Sequence, residues 1–173
     1  VLLKALGLSL SLWLARALPV AEFGAWGLVF ALQTGMASFG AVGILEAVVG
    51  LLRRHPGADQ RGRLFQAAEA AFLVTAGLAV GVATFLSLAF GSRWEAGTLA
   101  LAGAVLSGAL LAFATLRSQL VRLEERHSAS LALSFLVPLA GLAGSALGFA
   151  LWGTVDGFFA GSAAGLSLAL AAA

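Results

Sequence analysis

Residues 23–45 read FGAWGLVFALQTGMASFGAVGIL, and this run of 23 residues between Glu22 and Glu46 contains no charged side chain. A helix rises 1.5 Å per residue, so a helix of this length crosses the hydrocarbon core of a bilayer, which is about 30 Å thick. A segment that crosses lipid alone must satisfy its own backbone hydrogen bonds. The run is therefore predicted to be a transmembrane helix.

Three further charge-free runs have a similar length and cover residues 70–92, 96–116 and 128–155. Shorter apolar runs stand at both ends of the chain, and the strand alternation of an outer-membrane barrel is missing. We therefore predict an all-α, polytopic membrane helix bundle. Its six transmembrane helices cover residues 1–16, 25–52, 66–90, 97–121, 129–152 and 157–173, and short loops make sequence neighbours antiparallel.

The composition excludes several classes of protein. Apolar residues make up 61% of the 173 residues and charged residues only 10%, against about 25% charged in soluble domains. So few charges cannot cover the surface of a soluble globule, and a net charge of +2 does not fit a nucleic-acid-binding module. The chain has no Cys, its two His lack partners at metal-ligand spacing, and it has no Walker loop or nucleophile–base pair. We expect no enzyme activity, no cofactor and no metal.

The basic residues predict the orientation of the bundle. Eight of the ten lie on the side of the N-terminus and of the second and fourth loops, namely Lys4, Arg53, Arg54, Arg61, Arg63, Arg117, Arg122 and Arg126, against Arg16 and Arg93 on the other side. Loops that carry excess Arg and Lys stay in the cytoplasm. We therefore expect a multi-pass protein of the inner (plasma) membrane with a cytoplasmic N-terminus.

Glu46 is the most informative charge, because it lies inside the second span, about 10 Å along the helix from Arg53. A carboxylate at this depth is costly and is expected to face the bundle interior or a water-filled cavity. It can hold a cation, a proton or a substrate group, or it can pair with an arginine such as Arg117 or Arg122. The sequence leaves both alternatives open.

Other polar residues are further candidates for lining a substrate or ion cavity: Gln33, Glu69 and Arg117. The basic loop formed by Arg53, Arg54, Arg61 and Arg63 could bind anionic headgroups or a pyrophosphate, although the positive-inside rule alone explains it.

Small residues recur at four-residue spacing, as in Gly77/Gly81, Gly144/Gly148 and Gly157/Gly161/Gly165. This spacing favours close packing of helices in lipid, with sliding of smooth faces as the alternative. Pro138, inside the fifth span, predicts a kink.

Residues 15–26, ARALPVAEFGAW, close the first span and open the second. They resemble the first hairpin of the polysaccharide flippases of the multidrug/oligosaccharidyl-lipid/polysaccharide exporter superfamily, whose pattern runs Ala-Arg-Leu-Leu-Gly-Pro-Glu-Glu-Phe-Gly-Leu-Tyr. In register are Arg16, Leu18, Glu22, Phe23, Gly24 and an aromatic residue at Trp26. Pro19 stands one place early, and Val20-Ala21 replaces the usual Pro-Glu. The segment 39–49, FGAVGILEAVV, looks like the Gly-marked second helix of that family.

The resemblance implies that the chain is the N-terminal six-helix bundle, truncated at both ends, of a two-bundle transporter with 12–14 helices. It implies translocation of a polyprenyl-pyrophosphate-linked oligosaccharide, a precursor for the cell envelope, from the cytoplasmic to the outer leaflet by alternating access. The partners would be the bilayer, the lipid-linked sugar and the C-terminal bundle, so we expect the 173 residues alone to be inactive. The hairpin residues would be structural. A cation-coupled drug exporter of the same superfamily and a non-transporting structural membrane subunit are the alternatives.

Overall fold

A computed structural model describes residues 2–39, 42–54, 58–90, 97–124 and 126–172 of the chain. All regular secondary structure in these ranges is α-helical, so the all-α prediction is confirmed. The described helices are α1 (Leu2–Ala17), α2 (Val20–Phe39), α3 (Val42–Arg54), α4 (Ala58–Phe90), α5 (Thr98–Leu123), α6 (His127–Trp152) and α7 (Val155–Ala172).

Five regions among the described residues are long and apolar enough to cross a membrane: Val20–Leu52, Gln60–Val82, Thr98–Leu123, His127–Trp152 and Val155–Ala172. The first of these contains α2, α3 as far as Leu52, and two residues between the helices that lie outside the described ranges. Helix α1, with 16 described residues, is not among these five regions. The structure therefore supports a membrane protein, and the predicted set of six spans is confirmed only in part.

Two helices begin before the membrane spans predicted for them. Helix α2 begins at Val20 rather than at residue 25, and α4 begins at Ala58 rather than at residue 66. Charged residues mark the edge of the hydrocarbon layer, but they do not end a helix. Glu22 lies in the first turn of α2, where a carboxylate favours the positive end of the helix dipole.

Helix α5 lies at the centre of the bundle and packs against α2, α4, α6 and α7. Small buried residues along it, such as Ala100, Ala104 and Ala112, let these neighbours approach closely. Its N-cap is Gly97, which has no side chain to offer. Asp156 of α7 takes over that role, because the Ala100 backbone N–H donates to Asp156 Oδ1 at 2.6 Å.

Helices α6 and α7 form the tightest pair in the bundle, with their glycines facing one another. A Cβ atom built on Gly161 would run into the Gly144 carbonyl oxygen, and one on Gly148 would run into the Gly157 carbonyl oxygen. The prediction of close packing is confirmed for this pair of helices. Gly77 and Gly81 of α4 differ, because a Cβ on either would meet no atom within 4 Å.

Helix α1 lies at the edge of the bundle, against α2 and α6. Leu14 is its one buried residue in the described part of the helix, and Trp13 packs edge-on against Phe149 with ring centroids 5.0 Å apart. Most of α1 is therefore exposed at the protein surface, although its inner side faces a cavity.

Candidate functional site

Three helices meet at a buried polar cluster formed by Gln33, Ser107 and Ser162. Gln33 Nε2 donates to Ser107 Oγ of α5 at 2.7 Å and to Ser162 Oγ of α7 at 3.3 Å. All three side chains are buried, with Gln33 only 6% exposed. Ser107 Oγ also donates to the Ala104 carbonyl at 3.0 Å, so this hydroxyl both accepts and donates a hydrogen bond.

A cavity of about 320 Å³ lies beside this cluster, between α1, α2, α6 and α7. Apolar side chains supply most of its wall, and α6 contributes Pro138. Its polar lining consists of Lys4, Gln33, Thr34, Ser145 and Ser162. We call this space the Lys4 cavity.

The hydroxyl groups of the Lys4 cavity are anchored to their own helices. Thr34 Oγ1 donates to the Phe30 carbonyl at 2.9 Å, and Ser145 Oγ donates to the Gly141 carbonyl at 2.9 Å. Their oxygen lone pairs remain available to accept hydrogen bonds from a ligand. Among the lining residues Lys4 is the charged one, so the cavity offers one cation and several weak acceptors.

Lys4 and Gln33 line the same cavity from two different helices. Lys4 stands 13 residues before the end of α1, and Gln33 stands 13 residues after the start of α2. Measured along its own helix, each is therefore about 20 Å from the α1–α2 turn. The predicted place of Lys4 on the cytoplasmic side of the membrane stays a prediction.

Of the residues predicted to line a cavity, only Gln33 lines this one. Glu46 is exposed on α3, and the structure shows no hydrogen bond or ion pair between it and Arg117 or Arg122. Glu69 is half-buried on α4. Arg117 is half-buried on α5 and lines a different cavity at the cytoplasmic end predicted for the bundle.

The residues of the basic loop are spread over two helices. Arg61 and Arg63 are exposed in the first turns of α4. Arg53 and Arg54 end α3, and their side chains lie outside what the structure describes. The binding of anionic headgroups by this loop therefore stays a prediction.

The α1–α2 hairpin is held by aromatic packing and backbone hydrogen bonds. Phe23 stacks on Trp26 with centroids 5.2 Å apart, and Trp26 meets Phe158 of α7 edge-on at 6.0 Å. The Phe23 N–H donates to the Pro19 carbonyl at 2.9 Å. Arg16, Glu22 and Gly24 are exposed, so Phe23 is the hairpin residue whose structural role has a visible contact.

Four residues of the site were not predicted from the sequence: Lys4, Ser107, Ser145 and Ser162. Each serine is an isolated polar residue in an apolar span. Isolated serines are common in membrane helices, where they bond to the preceding turn, so they carry little signal until the helices are brought together. In the described part of the chain, no three His, Asp or Glu side chains come together as a metal site.

Comparison of the chain with protein-family models, with curated proteins and with solved structures found no match.

Proposed function

We propose that this bundle is part of a membrane transporter that moves a polyprenyl-pyrophosphate-linked oligosaccharide from the cytoplasmic to the outer leaflet by alternating access. The Lys4 cavity is the observation that carries the proposal. An ionisable side chain that lines a cavity in a membrane bundle is a candidate for a substrate or ion path, because its burial in lipid is costly.

The chemistry of the cavity suits an anionic headgroup. The Lys4 ammonium can donate up to three charge-assisted hydrogen bonds to phosphate oxygens. The lone pairs of Thr34, Ser145 and Ser162 can accept from sugar hydroxyl groups. With a single cation, the site can bind the headgroup and still release it.

A second bundle completes the proposed transporter. Lys4 lines the cavity and is at the same time exposed at the surface of the bundle. We propose that the second bundle faces α1 and α2 and supplies the other wall of the translocation path. In this proposal the N-terminus is cytoplasmic and the protein resides in the plasma membrane.

A cation-coupled drug exporter is the weaker candidate. Cation sites are built from carboxylate and carbonyl oxygens, and the described lining of the Lys4 cavity has no acidic side chain. A lysine there repels a cation. A structural subunit without transport activity is the remaining alternative, and the experiment below separates it from a flippase.

The test is translocation by the intact native polypeptide that contains this bundle, reconstituted in liposomes with a fluorescent polyprenyl-pyrophosphate oligosaccharide. The wild type should expose the sugar on the opposite leaflet. Lys4→Gln should slow this at least about tenfold, because it removes the one cation of the cavity. Lys4→Arg keeps the charge and should retain most of the rate. Equal rates for all three variants, or no translocation by the wild type, would contradict the proposal.

A further inference from the structure

A long groove runs along the outer face of α6 and α7. Its lower part is a cavity of about 690 Å³ near the α5–α6 connection, and its upper part is a cavity of about 680 Å³. The two parts share Ala140, Ala143 and Ala169, so they form one continuous surface. None of the residues lining the lower part also lines the Lys4 cavity.

The lower end of the groove is lined by two basic side chains. Arg117 of α5 and Arg126, which precedes α6, both line it. The backbone of Arg126 is fixed on both sides, since its N–H donates to the Val121 carbonyl at 3.2 Å and its carbonyl accepts from the Ser130 N–H at 3.1 Å. Arg117 thus lies on α5 and Arg126 in the connection to α6, and both line the same space.

The start of α6 adds to this positive end. No side chain caps the helix, and its first turn contains no acidic residue. The N–H groups of that turn and the helix dipole favour an anion there. Glu124, the described acidic residue nearby, is exposed and lies outside the lining.

The rest of the lower groove is apolar and is long enough to cross the hydrocarbon part of one leaflet. On α6 the lining runs from Ala129 to Ala143, which is about 21 Å of helix, against about 15 Å for half of the hydrocarbon core. Ala132 and Leu136 form part of its exposed wall. The groove thus has a basic end followed by an apolar stretch. A lipid in the leaflet next to the α5–α6 connection has its charged headgroup and its acyl chains in the same order.

We propose that this groove binds one anionic phospholipid of the leaflet on the side of the α5–α6 connection. The lipid phosphate lies between Arg117, Arg126 and the first turn of α6, and one acyl chain runs along α6 toward Ala143. Basic pockets between transmembrane helices bind such headgroups in general. The inference does not depend on the Lys4 cavity or on translocation.

Native mass spectrometry of the whole chain with dioleoyl-phosphatidylglycerol tests the charged end. The double variant Arg117→Gln/Arg126→Gln should bind this lipid at least about tenfold more weakly, because it loses two charge-assisted contacts. The matched control is Arg61→Gln/Arg63→Gln, which removes the same charge from exposed positions on the same side of the bundle and should bind like the wild type. Equal loss in both double variants would show attraction by net charge alone and would overturn the proposal.

Two further arms test the apolar end and the source of the phosphate. Ala132→Trp fills the groove at an exposed position and keeps both arginines, so it should also weaken lipid binding. Zwitterionic phosphatidylcholine should bind more weakly than phosphatidylglycerol. Unchanged binding by Ala132→Trp, or inorganic phosphate that binds as tightly as the lipid, would identify a site for a free anion and contradict the lipid assignment.

Discussion

At the scale of single residues, Gln33 connects three helices through one amide nitrogen. Gln33→Leu keeps the size of the side chain and removes both hydrogen bonds, to Ser107 and to Ser162. The free energy of unfolding should fall by about 0.5–2 kcal/mol, the range for hydrogen bonds between helices in membranes. Titration with a denaturing detergent measures it. Ser107→Ala/Ser162→Ala in the same background should add little, and full additivity of the two changes would contradict the coupling.

Asp156, a residue of α7, caps the N-terminus of α5. Asp156→Ala leaves the Ala100 N–H without its acceptor and should cost about 0.5–2 kcal/mol of unfolding free energy. Asp156→Asn keeps an acceptor oxygen in the same place and should retain most of the stability. If the two variants lost the same amount, the carboxylate would act by its charge and not as a cap.

The residue scale also shows what the sequence could and could not reveal about the site. Gln33 was identified because an amide in the middle of an apolar run is conspicuous. Lys4 was not identified because its place beside Gln33 depends on how α1 packs in the bundle, where Trp13 meets Phe149 of α6. Glu46 drew attention by its place along the chain. Which side of α3 carries it depends on contacts with neighbouring helices.

At the scale of helices, the pairing of α6 with α7 depends on glycine. Gly161→Ala places a methyl group against the Gly144 carbonyl and should destabilise the bundle by about 1–3 kcal/mol, as overpacking does. Gly77→Ala is the matched control, because its new methyl group meets no protein atom. Detergent titration should show Gly77→Ala to be neutral or slightly stabilising. Equal effects of the two changes would mean that helix propensity dominates and packing does not.

The existence of the long helices followed from the sequence, and their ends did not. Charge-free runs identify the hydrocarbon-crossing parts because burying charge in lipid is unfavourable. The ends are set by other forces, such as the turn at Pro19 and the favourable place of Glu22 in the first turn of α2. In α4 the exposed Arg61 and Arg63 continue the helix beyond its apolar part.

At the scale of the whole molecule, the proposed orientation places the start of α2 outside and the start of α4 inside the cell. The chain has no Cys, so a single introduced thiol gives an unambiguous signal. Val20, which is 92% exposed, and Arg63 are suitable positions. A membrane-impermeant maleimide added to intact cells should label Val20→Cys and not Arg63→Cys. The opposite pattern would reverse the orientation.

The proposed headgroup cavity at Lys4 is tested most directly by measuring whether water and an anionic lipid headgroup can enter it. Thr34→Cys lines the cavity, and Leu78→Cys is an exposed control position on an apolar stretch of α4. In the native membrane, a water-soluble maleimide should label Thr34→Cys and not Leu78→Cys. Polyprenyl pyrophosphate should protect Thr34→Cys from labelling, and the protection should disappear with Lys4→Gln. Labelling of Thr34→Cys no faster than that of Leu78→Cys, or protection that persists without the lysine, would contradict a headgroup cavity at Lys4.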